Sequence, residues 1–188
     1  MSVAGSALAF IGLLLGVGLL RIAELVVSRA HSKRAGERGE RPRPELAFVF
    51  MVALHTVPFW LSPVEVFLWH RPFLPALAGV SGIALLLAGG LRIWTLRTLG
   101  AAWNVRIVKP GAVVTSGPYR FIRHPNYLVV ITELLFLPLF HSAYFTALVL
   151  TVCNALVLWK RIPAEEKVLF EVPGYRELMG PKPRFLPF

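Results

Sequence analysis

Five apolar stretches, residues 3–28, 46–69, 73–97, 126–140 and 143–160, occupy most of this chain, and polar segments rich in Arg and Lys separate most of them. In hydrocarbon, every backbone N–H and C=O must find a partner inside the chain, which leaves helices and closed barrels as the possible spanning structures. The first three stretches are long enough for a helix to cross a bilayer core of about 30 Å. Residues 126–140 are short for a full crossing. They are joined to residues 143–160 by a tight turn at His141 and Ser142, which makes a helical hairpin. The expected fold is all-α: a polytopic integral membrane protein with about five transmembrane helices, the hairpin, and a C-terminal cytoplasmic amphipathic helix. A hydrophobic fraction of 56% with 16% charged residues agrees with that class.

Charge placement sets the expected orientation. Of 20 basic residues, 17 fall in three patches, Arg29 to Arg43, Arg97 to Arg123 and Lys160 to Arg184. Placing all three patches in the cytoplasm satisfies the positive-inside rule. The net charge of +10 is then a membrane-topology signal with anionic lipid as partner, and nucleic-acid binding is set aside. The first stretch has no basic residue before its apolar run, so it is expected to be a retained helix with its N-terminus outside, not a signal peptide. Arg outnumbers Lys fifteen to five, which is compatible with a GC-rich bacterial genome. Residues 30–45 read as a charged loop. The chain divides into an N-terminal three-helix region, residues 1–98, and a C-terminal region of loop, hairpin and final helix, residues 99–188, where a functional core is expected. The single Cys153 excludes a disulfide framework, and no spacing resembles a zinc cluster, so no metal site is expected. Gly16-Val-Gly18 follows no strand and is not a nucleotide loop.

Two motifs flank the hairpin. Arg123-His-Pro-Asn-Tyr127 opens its first helix, and Arg161-Ile-Pro-Ala-Glu165-Glu166 follows its second, reading as the start of a short amphipathic helix with Pro163 in its first turn. A hairpin returns the chain to the face it left, so the motifs meet in space. Each has a bland reading. Arg and Tyr anchor helices at headgroup level, and acids in a first turn offset the helix dipole. Glu133, seven residues beyond Asn126, either lines a substrate cavity or pairs with Asn154. His55, Glu65 and Arg92 read as contacts between helices, since ionisable groups in a bilayer require partners.

These residues resemble the isoprenylcysteine carboxyl methyltransferase family and, more broadly, the membrane phospholipid methyltransferases. Val113-Val-Thr-Ser-Gly-Pro-Tyr119, Arg123-His-Pro-Asn-Tyr127, Arg161 with Glu165-Glu166, Tyr175-Arg-Glu-Leu and Arg184-Phe-Leu-Pro-Phe188 carry the resemblance, over about residues 90–188. The N-terminal half is similar to bacterial members that O-methylate long-chain phenolic or pyrone lipids made by type III polyketide synthases. The resemblance implies S-adenosylmethionine as cofactor. It places Tyr119, His124, Pro125, Tyr127 and Glu165 against the cofactor, with backbone around Val113 and Val114. Arg161 would face the acceptor oxygen, and Arg123 and Glu166 complete the catalytic set. Lys109-Pro-Gly-Ala112 departs from the family in offering no side chain suited to the adenosine, and the loop at residues 31–46 also diverges from the bacterial pattern.

The chemistry agrees with that assignment. Methyl transfer needs an oxygen nucleophile held in line, so positioning supplies much of the acceleration. A carboxylate acceptor is already ionised, whereas a phenol must lose a proton. Arg161 can orient the one or stabilise the other, and His124 and Glu166 are the candidate bases. The expected partners are a lipophilic small-molecule acceptor and membrane lipids. Two other readings stand beside this one. The membrane sterol reductases share an Arg-His-Pro-Asn-Tyr-like motif and use NADPH, and a non-enzymatic membrane protein would bind no cofactor.

Overall fold

The computed structural model of the chain describes residues 3–37 and 46–186, which are helical with no strand among them. The helices are α1 (Val3–Glu37), α2 (Leu46–Thr56), α3 (Pro58–Leu68), α4 (Pro75–Leu99), α5 (Pro125–Leu139), α6 (Tyr144–Leu169) and α7 (Tyr175–Met179). Four spans are long and apolar enough to cross a membrane: Gly5–Glu37, Phe48–Leu68, Pro75–Ala102 and Tyr144–Leu169; Pro125–Leu139 is a shorter apolar helix. Leu8, Leu19, Ile83, Leu86, Leu148 and Leu156 are more than half exposed on the outer faces of α1, α4 and α6. In water such an apolar surface would be a liability, and in a bilayer it is the solvated face. The chain is an integral membrane protein.

Several boundaries differ from expectation for identifiable reasons. The charged segment after residue 28 does not leave the helix: α1 runs to Glu37, and residues 38–45 of the expected loop lie outside the described residues. Continuation puts Ser28, His31 and Ser32 on one face of α1, since positions three and four apart are neighbours. All three bond the segment after α4. Ser28 Oγ and Ser32 Oγ donate to Asn104 Oδ1 at 3.0 and 3.1 Å, and His31 Nδ1 donates to the Trp103 carbonyl at 2.8 Å. The second apolar stretch is two helices, because Pro58 has no N–H to continue the ladder and instead opens α3.

Pro163 does not start a separate helix. It lies inside α6, which continues unbroken to Leu169. Burial of Arg161, Ile162, Glu166 and Val168 on the inner face outweighs the one ladder bond that the proline removes. The C-terminal helix is therefore α7, a single turn whose Tyr175 and Met179 pack with Val172 against Val113 and Tyr119.

The hairpin itself is as expected. Its turn is tight enough to hold Ser142 at φ +56°, with the Ala143 N–H donating to the Pro138 carbonyl at 3.1 Å. Glu65 from α3 caps α6 across the gap, accepting from the Phe145 N–H at 3.0 Å and from the Thr146 N–H at 2.7 Å. A carboxylate at a helix N-terminus meets both the free N–H groups and the positive end of the dipole. Arg71 completes the pair at 2.8 Å.

Candidate active site

The site grows from the turn before α5. Gly117 adopts φ +55°, and a Cβ there would lie 2.2 Å from Thr98 Oγ1 on α4. Only glycine tolerates both the backbone conformation and the close approach. The 3₁₀ turn Gly117–Arg120 that it opens presents Tyr119, and Lys182 Nζ fastens the Tyr119 carbonyl at 2.7 Å. Pro125 then occupies the first position of α5, where a missing N–H costs nothing.

The C-terminal segment runs back over this turn. The N–H groups of Arg123 and His124 donate to the carbonyls of Pro183 and Arg184 at 2.9 and 3.0 Å. Glu166 ties the same pieces together through side chains. Its Oε1 takes Nε2 of His124 at 3.0 Å and lies 3.1 Å from Arg123 Nη1, and its Oε2 takes Arg184 Nη2 at 2.7 Å. The expected segment Arg184–Phe188 is described as far as residue 186.

One turn along α6, a second cluster faces inward. Tyr127 Oη donates to Glu165, Arg161 Nε donates to Tyr127 Oη at 2.8 Å, and Arg161 Nη2 donates to the Val105 carbonyl. Arg161 and Glu165 are four apart, one turn of helix, which is why a single tyrosine reaches both. Arg161 is 3% exposed, so its guanidinium is fixed among these partners and is not a surface charge.

Both clusters border a cavity of about 420 Å³, within the range of small-molecule sites. Val113, Val114, Tyr119, Arg123, His124, Tyr127, Arg161 and Glu165 line it, as do Asn126, Tyr175 and Met179. Pro125 and Glu166 do not. Burial, and then the nearby Glu165 carboxylate, push the Tyr175 hydroxyl up to about 12 and that of Tyr119 well above its ordinary value. Both therefore stay neutral donors at ordinary pH. Asn126 Oδ1 is buried without a hydrogen-bond partner among the described residues.

The cavity also reaches a group of charges that sequence reasoning had not assembled. Arg92 bridges Glu24 at 2.9 Å and Glu133 at 2.8 Å, while Arg21 bridges the same two carboxylates at 2.7 and 3.4 Å. Glu133 thus pairs with arginines of α4 and α1 and not with Asn154. The nearest signal in the sequence was the Arg21 and Glu24 pair, three apart on α1. His55 Nδ1 donates to the Met51 carbonyl of its own helix at 2.7 Å.

Taken together, four apolar spans of membrane-crossing length and a hairpin that gathers Arg, His, Tyr and Glu around a cavity define a polytopic membrane protein with polar groups clustered on one cavity. Residues 80–171 match the sequence model of the isoprenylcysteine carboxyl methyltransferase (ICMT) family. The chain is also 35% identical over 153 residues to the uncharacterized protein YpbQ of Bacillus subtilis (strain 168), covering 80% of this chain and 90% of that protein. It belongs to the isoprenylcysteine carboxyl methyltransferase family, whose members are membrane methyltransferases dependent on S-adenosylmethionine.

Proposed function

We propose that the protein is an S-adenosylmethionine-dependent O-methyltransferase acting on a lipophilic acceptor, with its active site and C-terminus on the cytoplasmic face of a bacterial inner membrane. The observation that carries this reading is the Arg161–Tyr127–Glu165 array on the cavity wall, with Tyr175 and Met179 of α7 lining the same cavity. The residues present fit the cofactor. A cationic sulfonium is favoured by a carboxylate and by aromatic faces, here Glu165 with Tyr119, Tyr127 and Tyr175, and the unpartnered Asn126 Oδ1 can accept from an amine. When bound, the cofactor supplies an activated methyl group.

The roles then divide by position. Val113, Val114, Tyr119, His124, Tyr127 and Glu165 hold the cofactor, with Pro125 setting the start of α5. Arg161 and Arg123 face the acceptor oxygen, whether of an isoprenylcysteine-like carboxylate or of a long-chain phenol or pyrone. Glu166 acts as a positioning residue, since both its oxygens are taken by Arg123, His124 and Arg184. Acceptor lipid enters laterally from the bilayer, and cofactor arrives from the cytosol.

The test is calorimetric titration of S-adenosylmethionine, and separately of NADPH, into detergent-purified protein. Wild type is expected to bind S-adenosylmethionine and Glu165→Ala to lose it. Binding of NADPH alone, or of neither ligand by folded protein, overturns the reading.

A further inference from the structure

A second cavity, also about 420 Å³, is a groove along α6 on the side where Ala155 and Trp159 are exposed. Thr151, Asn154, Ala155, Leu158, Trp159 and Ile162 line it at steps of three and four. They therefore form one straight stripe about 17 Å long. Ile131 of α5 walls one side, and Arg184 and Phe185 of the C-terminal segment close the inner end. Leu158 and Ile162 separate the groove from the active site, since they also pack with Tyr127.

Two features separate this groove from a plain lipid-facing furrow. Asn154 is 3% exposed, and its carboxamide makes no hydrogen bond among the described residues. Thr151 Oγ1, on the same face, is also buried without a partner. In hydrocarbon such groups cost free energy until something polar meets them. At the inner end, Arg184 spends Nε and Nη2 on Glu166, at 3.1 and 2.7 Å. Its side chain is 47% exposed, and Nη1 keeps its N–H groups free among the described residues. The exposed Trp159 marks headgroup level on the same stripe. A cation thus sits at the bilayer surface and an unpaired amide below it, with an apolar floor between. Asn154 is set too deep for a neighbouring helix to touch, whereas an acyl chain is narrow enough to follow the stripe.

We propose that this groove binds an anionic glycerophospholipid, which holds the C-terminal segment in place from its bilayer side. The phosphate accepts from Arg184 Nη1, an acyl ester oxygen accepts from the Asn154 amide, and the chain below follows the stripe. Glu166 and Asn154 are twelve residues apart on α6, or about 18 Å, a span filled in turn by guanidinium, phosphate and glycerol. A zwitterionic lipid brings the same phosphate but carries its own cation beside it, so the free guanidinium favours a headgroup of net negative charge. The carbonyls of Pro183 and Arg184 accept from the N–H groups of Arg123 and His124. A lipid that grips Arg184 and covers Phe185 therefore braces the segment over the turn before α5. The proposal holds whatever reaction the active site performs.

The test uses the full chain in neutral maltoside micelles, with dioleoylphosphatidylglycerol and dioleoylphosphatidylcholine as probes and native mass spectrometry to count retained lipid. Wild type should hold one phosphatidylglycerol about tenfold more tightly than phosphatidylcholine, the scale of one charge-assisted contact. The bound lipid should also slow limited proteolysis within residues 180–186. Ala155→Phe fills the stripe from an exposed position and leaves the Arg184–Glu166 pair intact. It should abolish both retention and protection without changing the thermal unfolding of lipid-free protein. Arg184→Gln should make the two lipids equal, and Asn154→Leu should weaken both by about threefold. Equal retention of the two lipids by wild type overturns the proposal. So does undiminished retention of phosphatidylglycerol by Ala155→Phe, which would place the lipid on the basic surface at large. A wild-type dimer that Ala155→Phe dissociates overturns it as well, because a second copy would then cover the groove. Cleavage of the tail at the same rate with lipid bound refutes the bracing of the C-terminal segment.

Discussion

Replacing Arg92 by methionine tests whether the charge group joining α1, α4 and α5 holds the helices together. Arg92 is 6% exposed and is the member that makes two short contacts, at 2.9 and 2.8 Å to different carboxylates. Methionine keeps most of the volume and removes the charge, leaving Glu24 and Glu133 to share Arg21. Removing one partner of a buried ion pair costs about 3–5 kcal/mol, because the other charge stays buried. Polar contacts between membrane helices fall lower, near 1 kcal/mol, since the unfolded chain also finds partners. The surviving Arg21 contacts and the membrane setting point to the low end of the first range, about 3 kcal/mol, or about a hundredfold in the unfolding equilibrium. The double variant Arg92→Met with Glu133→Leu leaves one charge of each sign, Arg21 and Glu24, already in contact at 2.7 Å. It should recover about 2 kcal/mol of the loss. Reversible unfolding in mixed micelles, followed by circular dichroism, measures both. A single variant within 1 kcal/mol of wild type, or a double variant no better than the single, would refute the ion-pair account.

Three further outcomes follow from the site. Gly117→Ala forces a Cβ against Thr98 and a strained backbone at φ +55°; it should cost about 1–3 kcal/mol, seen as earlier thermal unfolding, and a second change Thr98→Ala should return only the steric part. Glu166→Ala should free the C-terminal segment, because the contact with the half-exposed Arg184 is weak alone and the buried contacts to Arg123 and His124 supply most of about 3 kcal/mol; limited proteolysis should then cut within residues 180–186, and an uncut tail would argue against the clasp. Tyr175, pushed up to about 12, ionises at about 10 when unfolded. The unfolded state therefore loses its proton first, so the stabilisation is whole below pH 10 and is lost as pH rises toward 12; thermal unfolding across that window should flatten in Tyr175→Phe.

The hairpin and its two motifs were legible in the sequence because their information is local. Pro125 marks a helix start, His141 and Ser142 mark a turn, and the spacing of the apolar runs requires the ends to meet. Pro163 misled for the same reason: a helix-breaking residue was weighed without the burial of Ile162 and Glu166 that carries α6 past it. The polar run after residue 28 read as a loop because the partners of Ser28, His31 and Ser32 lie more than seventy residues away. Glu133 was visibly in need of a partner, yet nothing local separates Asn154 from Arg92 and Arg21. Pairing across helices is set by how the bundle closes, and the period of a single helix does not contain it.

That long-range information bears on the chemistry through one residue. The Val105 N–H donates to Ser28 Oγ at 3.0 Å, and its carbonyl accepts from Arg161 Nη2. The peptide planes that flank Val105 are rigid, so a displacement of the inner end of α1 is passed to Arg161 through a single residue. Asn104 reinforces the link, donating to Ser32 Oγ at 2.7 Å and accepting from the Arg106 N–H at 3.0 Å. The apolar N-terminal half is thus more than an anchor. It holds a carbonyl that, together with Tyr127, engages the buried Arg161 guanidinium.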